Sequence, residues 1–180
     1  LELGEEILQI IAKDLRERID GDRSNPELFT DSLKAAGEDN NAKVIAAYFN
    51  KAGIPAKYVS PKEGLVVNDL PERTYALPEA YDNLSKLKAE EKVIVFPGFF
   101  GYTKNGTLRT FDRGGSDITG SILAAAVNAD LYENFTDVDC VFAANPRVVN
   151  DPCAIHEITY REMRELSYAG FSVFHDEALM

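Results

Sequence analysis

Residues 92–101, KVIVFPGFFG, form an apolar run of strand length that breaks at Pro97-Gly98. Proline has no N–H to give a sheet, so it closes a strand, and a continuous apolar run marks a strand covered on both faces. Such strands occur where helices flank a parallel sheet, and the loop that follows is where α/β folds assemble their sites. The rest of the chain supplies the helices. Leu3, Ile7, Ile10, Ile11, Leu15 and Ile19 recur at helical spacing and predict an amphipathic helix over 4–19, stopped by the polar turn DGDRSNP at 20–26. A second helix is expected over 37–53, with Val44, Ile45, Tyr48 and Phe49 on its core face and Gly53 as its stop. AKYVS and GLVV follow as short extended segments. Residues 78–90 then open with a proline in a first turn and place Tyr81, Leu84 and Leu87 on one face.

A fourth helix, ITGSILAAAVN, is expected from about Asp117 to Asn128, its alanines suited to close packing on a sheet. DLYENFTDVD reads as a helix end, a short strand and a turn. Thr159 and Glu162 have capping-box spacing ahead of YREMRELSYA, which Gly170 ends. Helices that alternate with short apolar strands define one α/β domain with a parallel or mostly parallel sheet between helical layers.

Composition removes several classes of function. The 19 basic and 30 acidic residues leave a net charge of -11, with no basic patch and no interleaving of aromatic and basic residues, so nucleic acid is not an expected partner. No apolar run approaches the roughly 20 residues that span a bilayer, and LELGEEILQI has acid where a signal peptide has base; no membrane association and a cytoplasmic location are expected. Cys140 and Cys153 read as ordinary buried thiols. Asp20, Asp22 and Ser24 alternate as in a calcium loop, but Asn25 stands where that loop needs glycine and Asp31 where it needs glutamate. His156 and His175 lack partners at metal-ligand spacing, so no protein metal site is expected, and SDITGS is not a nucleophile elbow.

Two stretches remain as carriers of chemistry. In RTFDRGGSDITGS (109–121), a helix is entered through two glycines. A helix start offers unpaired N–H groups and partial positive charge, Gly114 and Gly115 let the backbone approach an anion, Arg113 can fork onto a carboxylate, and Asp117 can grip an ammonium or a metal-bound phosphate. The same residues also suit a plain capped glycine turn, with Ser116 and Asp117 as capping residues. In TDVDCVFAANPR (136–147), Thr136 and Asp137 can hydrogen-bond a ribose or base and Arg147 can neutralise phosphate; a solvated loop is the competing reading.

Taken together and in order, PGFFGYTKNGTLRTFDRGGSD, TDVDCVFAANPRVV and ITYREMRELSYAGFSVFH resemble the catalytic domain of the aspartate kinases, within the amino acid kinase family. The resemblance covers residues from about 32 to the end. It implies the amino acid kinase fold, a three-layer α/β/α sandwich with a mostly parallel central sheet, of which residues 1–180 form a partial catalytic domain. It implies transfer of the γ-phosphoryl group of ATP to the side-chain carboxylate of L-aspartate, giving 4-phospho-L-aspartate, with Mg2+ carried mainly by the nucleotide. The implied substrate-side residues are Glu38 at the amino group, Phe99 lining the pocket, Arg113 on a carboxylate, and Ser116 and Asp117 beside the transferred group. Arg113 and Asp117 are the implied catalytic pair. Thr136, Asp137, Phe142, Arg147 and Ser172 fall on the nucleotide side. A homo-oligomer is the expected assembly.

The departures from the pattern lie mostly on that nucleotide side. Cys140 replaces a usual glycine, Asn145 a usual aspartate, and Ser172 stands where a lysine often contacts nucleotide. The chain opens on Leu1 inside a helical pattern and lacks the family's Lys-Phe-Gly-Gly phosphate loop, so it is expected to be a fragment. The alternative expectation is a degenerate, non-catalytic module of the same fold that binds an amino acid or serves assembly.

Overall fold

The computed structural model describes residues 3–70, 72–112, 114–135, 140–144 and 148–168. Helix α1, Glu5–Ile19, has Glu5 and Glu6 in its first turn and Arg16 and Arg18 in its last, each sign at the end the helix dipole favours. None of its residues is buried, and Ile10, Leu15 and Ile19 are exposed. The expected apolar face of α1 therefore does not enter the core; charge holds this helix, as described below.

Helix α2 runs over Pro26–Lys51, starting well before the expected residue 37. The polar turn does end α1, but its last residue before the proline starts a new helix: Asn25 Oδ1 accepts the N–H groups of Glu27 at 3.1 Å and Leu28 at 3.3 Å, with Pro26 in the first turn. The buried face of α2 is also not the expected one. Ala35, Ala36, Ala42 and Ala46 are buried with Asp31, Asp39 and Asn40, whereas Tyr48 is exposed and Val44, Ile45 and Phe49 are half-buried. Small side chains let α2 lie close on the strands beneath it, and the carboxylates find partners there.

Strand β1, Ala56–Tyr58, pairs in parallel with β2, Val93–Val95, in the register Ala56 to Val93. This is the run read from KVIVFPGFFG, and it ends before Pro97 as expected. Its continuation was not foreseen: β3, Phe100–Tyr102, turns back on β4, Leu108–Thr110, as an antiparallel pair. Gly106, at φ 81°, sits in the turn between them, where a left-handed residue is required. GLVV contributes only single bridges, Val66 to Tyr102 and Val67 to Ala76. Gly101 must lack a side chain, because a Cβ there would lie 2.6 Å from Val67 Cγ1. A third, antiparallel pair joins β5, Val141–Phe142, to β6, Ala154–Ile155.

Helix α3, Pro78–Ser85, continues as a 3-10 turn over Lys86–Ala89, and α4 spans Gly115–Ala126. Leu65, Val67, Ala80, Leu84, Phe111, Ile118 and Ile122 form one buried cluster that joins these two helices to the strand layer. Burying each of the larger side chains contributes about 1.5–3 kcal/mol. Ile118 and Ile122 carry α4 into this core, with Leu123 and Ala126 packed against it. Residues 131–135 are irregular, so the short strand expected in DLYENFTDVD is not found among its described residues. Helix α5, Tyr160–Tyr168, starts with the expected capping box: Thr159 N–H donates to Glu162 Oε2 at 2.9 Å and Glu162 N–H to Thr159 Oγ1 at 3.3 Å. Gly170, its expected stop, lies outside the described residues. The cysteines are both free; Cys140 is half-buried, and Cys153 is exposed where a buried thiol was expected.

Candidate functional site

The loop after β2 meets the start of α4 at contacts that only glycines permit. A Cβ on Gly98 would lie 2.9 Å from Ser116 Cα, and one on Gly115 2.9 Å from Phe99 Cα. Between them, Phe99 is held at φ 79°, a left-handed conformation that costs a bulky residue about 1–3 kcal/mol. It is fixed there from both sides: its N–H donates to Thr119 Oγ1 at 3.2 Å, and its carbonyl accepts from Phe111 N–H at 2.8 Å. Thr119 is itself buried and donates to the Gly115 carbonyl at 2.7 Å. Strain pinned in this way is commonest at functional sites.

Phe99 forms one wall of an open cleft of about 340 Å³, whose other lining residues, Lys34, Gly37, Glu38 and Asn41, all come from α2. Glu38 and Phe99, far apart in sequence, are thus brought together on one cleft. Ser116 lies beside them through its contact with Gly98 and is exposed. Gly114, at φ 58°, is the left-handed residue from which α4 starts, and no side chain caps that start. This start is the helix entrance at which the glycine pair led an anion to be expected. Asp117 is half-buried in the first turn and accepts a hydrogen bond from Asn134 Nδ2 at 3.3 Å. Burial, and then the Asp117 carboxylate, push the Tyr132 phenol above its ordinary pKa.

The nucleotide-side residues are less completely represented. Phe142 is half-buried on β5 opposite Ala154 and does not line the cleft. Arg113, Thr136, Asp137, Arg147 and Ser172 lie outside the described residues, as does Asn145. Among the described residues no group of histidine, cysteine and carboxylate side chains is placed to hold a metal ion.

Sequence reasoning missed what orients α2. Asp39, adjacent to Glu38 but buried, accepts from Arg18 at 2.6 Å, Lys43 at 3.0 Å and the Tyr58 hydroxyl. Asp14 joins the cluster through Arg18 at 2.8 Å, Lys43 at 3.3 Å and Asn40 at 2.8 Å. Burial pushes the Asp14 carboxyl up, but the hydrogen bonds from Arg18 and Asn40 and the charges of Arg18 and Lys43 outweigh it and leave the group below its ordinary value. Burial and then Asp39 push the Tyr58 phenol up. Nearer the start of α2, the buried Asp31 accepts from Thr110 Oγ1 at 2.8 Å and Thr110 N–H at 3.3 Å. The helix carrying Glu38 is therefore fixed to β1 near its middle and to β4 nearer its start. An Asp at 31 and another at 39, on a helix with alanines at 35, 36, 42 and 46, was the available signal.

The chain belongs to the amino acid kinase family, whose model matches residues 4–180. Among characterised relatives, aspartokinase 3 of Bacillus subtilis (strain 168) is 59% identical over 181 residues, 100% of this chain and 40% of its own length. An aspartate kinase of Pseudomonas fluorescens (strain SBW25) is 32% identical over 92% of this chain and 40% of its own. In structure, Clostridium acetobutylicum aspartate kinase is similar at a TM-score of 0.77 and 35% identity, over 100% of this chain and 38% of that one. E. coli aspartokinase III in complex with aspartate and ADP is similar at 0.78 and 26%, over 98% and 40%. The chain thus spans about 40% of the length of these relatives.

Proposed function

We propose that this chain is part of the catalytic domain of an aspartate kinase, which moves the γ-phosphoryl group of ATP to the side-chain carboxylate of L-aspartate. The observation that carries the reading is the convergence of Glu38 and Phe99 on one cleft beside the α4 entrance. A dicarboxylic amino acid has one ammonium and two carboxylates. Glu38 takes the ammonium, Phe99 walls the carbon chain, and Arg113 with the α4 N–H groups takes a carboxylate. Ser116 and Asp117 stand beside the transferred group. On the nucleotide side, Thr136 and Asp137 hydrogen-bond the nucleoside, Phe142 lies against it, Arg147 meets the phosphates, and Ser172 stands where a lysine often contacts the nucleotide.

The attacking oxygen is already ionised at neutral pH, so no protein nucleophile is needed. Catalysis reduces to alignment and to neutralising charge on the γ-phosphoryl group. Mg2+ carried by the nucleotide's phosphates would supply charge neutralisation there and would need few protein ligands. The complete fold in this reading is a three-layer α/β/α sandwich with a mostly parallel sheet, in a homo-oligomer of the cytoplasm. The resemblance of nearly the whole of this chain to part of several aspartate kinases, including one solved with aspartate and ADP, supports the reading.

The test is phosphoryl transfer by the full-length polypeptide to aspartate and to glutamate. Transfer to aspartate in strong preference is expected, and Arg113→Ala should lose on the order of 2–5 kcal/mol of substrate interaction. Aspartate binding without nucleotide binding would instead establish a non-catalytic module. A loss of aspartate affinity below about threefold in Arg113→Ala would remove that residue from the site.

A further inference from the structure

The segment that leaves α4 does not depart from it but folds back along its first turns. Asn134 Nδ2 donates to Asp117 Oδ1 at 3.3 Å, leaving Oδ2 without a donor among the described residues. One turn along the same face, Gly120 lies under the Tyr132 ring: a Cβ there would come within 2.9 Å of Tyr132 Cζ and 3.0 Å of Cε2, and would meet its hydroxyl oxygen more closely still. Two independent contacts, one polar and one steric, therefore hold residues 130–134 across α4 at the level of Asp117. The sequence reading gave no role to Tyr132, Asn134 or Gly120.

We propose that Asn134 is a positioning residue for the phosphoryl transfer, fixing the Asp117 carboxylate through one oxygen while Tyr132, seated over Gly120, keeps the strap in place. This rests on the aspartate kinase reading above. The strap runs directly into Thr136 and Asp137 in sequence, so the same few residues tie the acceptor side of the reaction to the nucleotide side. A carboxylate free to rotate would be misaligned in most of its orientations, and misplacement by about 1 Å can cost on the order of a hundredfold in rate. Because Asn134 is not among the residues that line the cleft of Glu38 and Phe99 and reaches the reaction only through Asp117, its loss should act on turnover more than on capture.

The experiment is steady-state transfer to aspartate by the full-length polypeptide and its variants. Asn134→Ala should lower kcat about tenfold with the KM for aspartate within about twofold. Asn134→Asp, of the same shape, replaces the donor by a second carboxylate and should lose more than Asn134→Ala, an order that a space-filling role would not produce. Gly120→Ala, which displaces the Tyr132 ring and touches neither Asp117 nor substrate, should reproduce the kcat loss. The inference is overturned if both Asn134 variants stay within about twofold of wild type in kcat, or if their losses appear in KM and melting temperature instead. Should the wild-type protein itself fail to phosphorylate aspartate, the functional reading falls first and takes this inference with it.

Discussion

Two helix pairs, α1 with α2 and α3 with α4, are held by opposite physics. α1 meets α2 through Asp14, Arg18, Asp39 and Lys43, with no residue of α1 buried, whereas α3 meets α4 through Ala80, Leu84, Ile118 and Ile122. Hydrocarbon burial is strong but tolerant of direction; a network of charges is costly to desolvate yet demands one geometry. The pairing of the two suits the proposed site. α4 brings a backbone terminus, which needs a firm seat, and α2 brings the Glu38 side chain, which needs a fixed rotation about the helix axis. Asp39, next to Glu38, supplies that rotation.

The comparison can be broken from either side. Asp39→Ala should have the largest effect, about 3–5 kcal/mol of stability, because Arg18, Lys43 and the Tyr58 hydroxyl would lose their shared buried acceptor and the two cations would keep only Asp14 as a carboxylate partner. Urea unfolding checks it, and a change under 1 kcal/mol would show the cluster to be ornamental. Leu84→Ala should follow at about 2–5 kcal/mol, the cost of emptying a fully buried site.

The two pairs should also differ in acid. Asp14 is held below its ordinary value of 3.8, so its contribution is complete above that pH and is lost as pH falls through the folded value. Asp14→Asn should flatten the acid limb of a stability-against-pH curve below about pH 4, while Leu84→Ala should shift the curve downward without changing that limb. The smallest effect belongs to Lys13→Ala: Lys13 and Glu17, 3.7 Å apart and both exposed, should contribute nothing measurable to the melting temperature.

How much of this was legible in sequence follows the same division. The Pro97-Gly98 break, the glycine entrance to α4 and the Thr159 capping box depend on residues adjacent in the chain, and each was found where the local chemistry required it. Phe99 and Glu38 were assigned through resemblance, and their convergence needed the fold. The early start of α2 and its buried face escaped because helical periodicity is a pattern of apolar residues, and this helix buries alanines and carboxylates instead. The β3–β4 hairpin escaped for a related reason: glycine and threonine at Gly101, Thr103 and Thr110 blur the alternation that marks a strand. Ion partners such as Arg18 and Asp39, or Asp31 and Thr110, are separated by too much chain for local reasoning to join them.

The most direct measurement is a crystal structure of the full-length polypeptide with aspartate and a non-hydrolysable ATP analogue. The account predicts the aspartate ammonium within hydrogen-bonding distance of the Glu38 carboxylate, its carbon chain against Phe99, and a carboxylate at Arg113 and the first N–H groups of α4. Aspartate bound elsewhere, with the α4 entrance closed by the protein's own side chains, would contradict it.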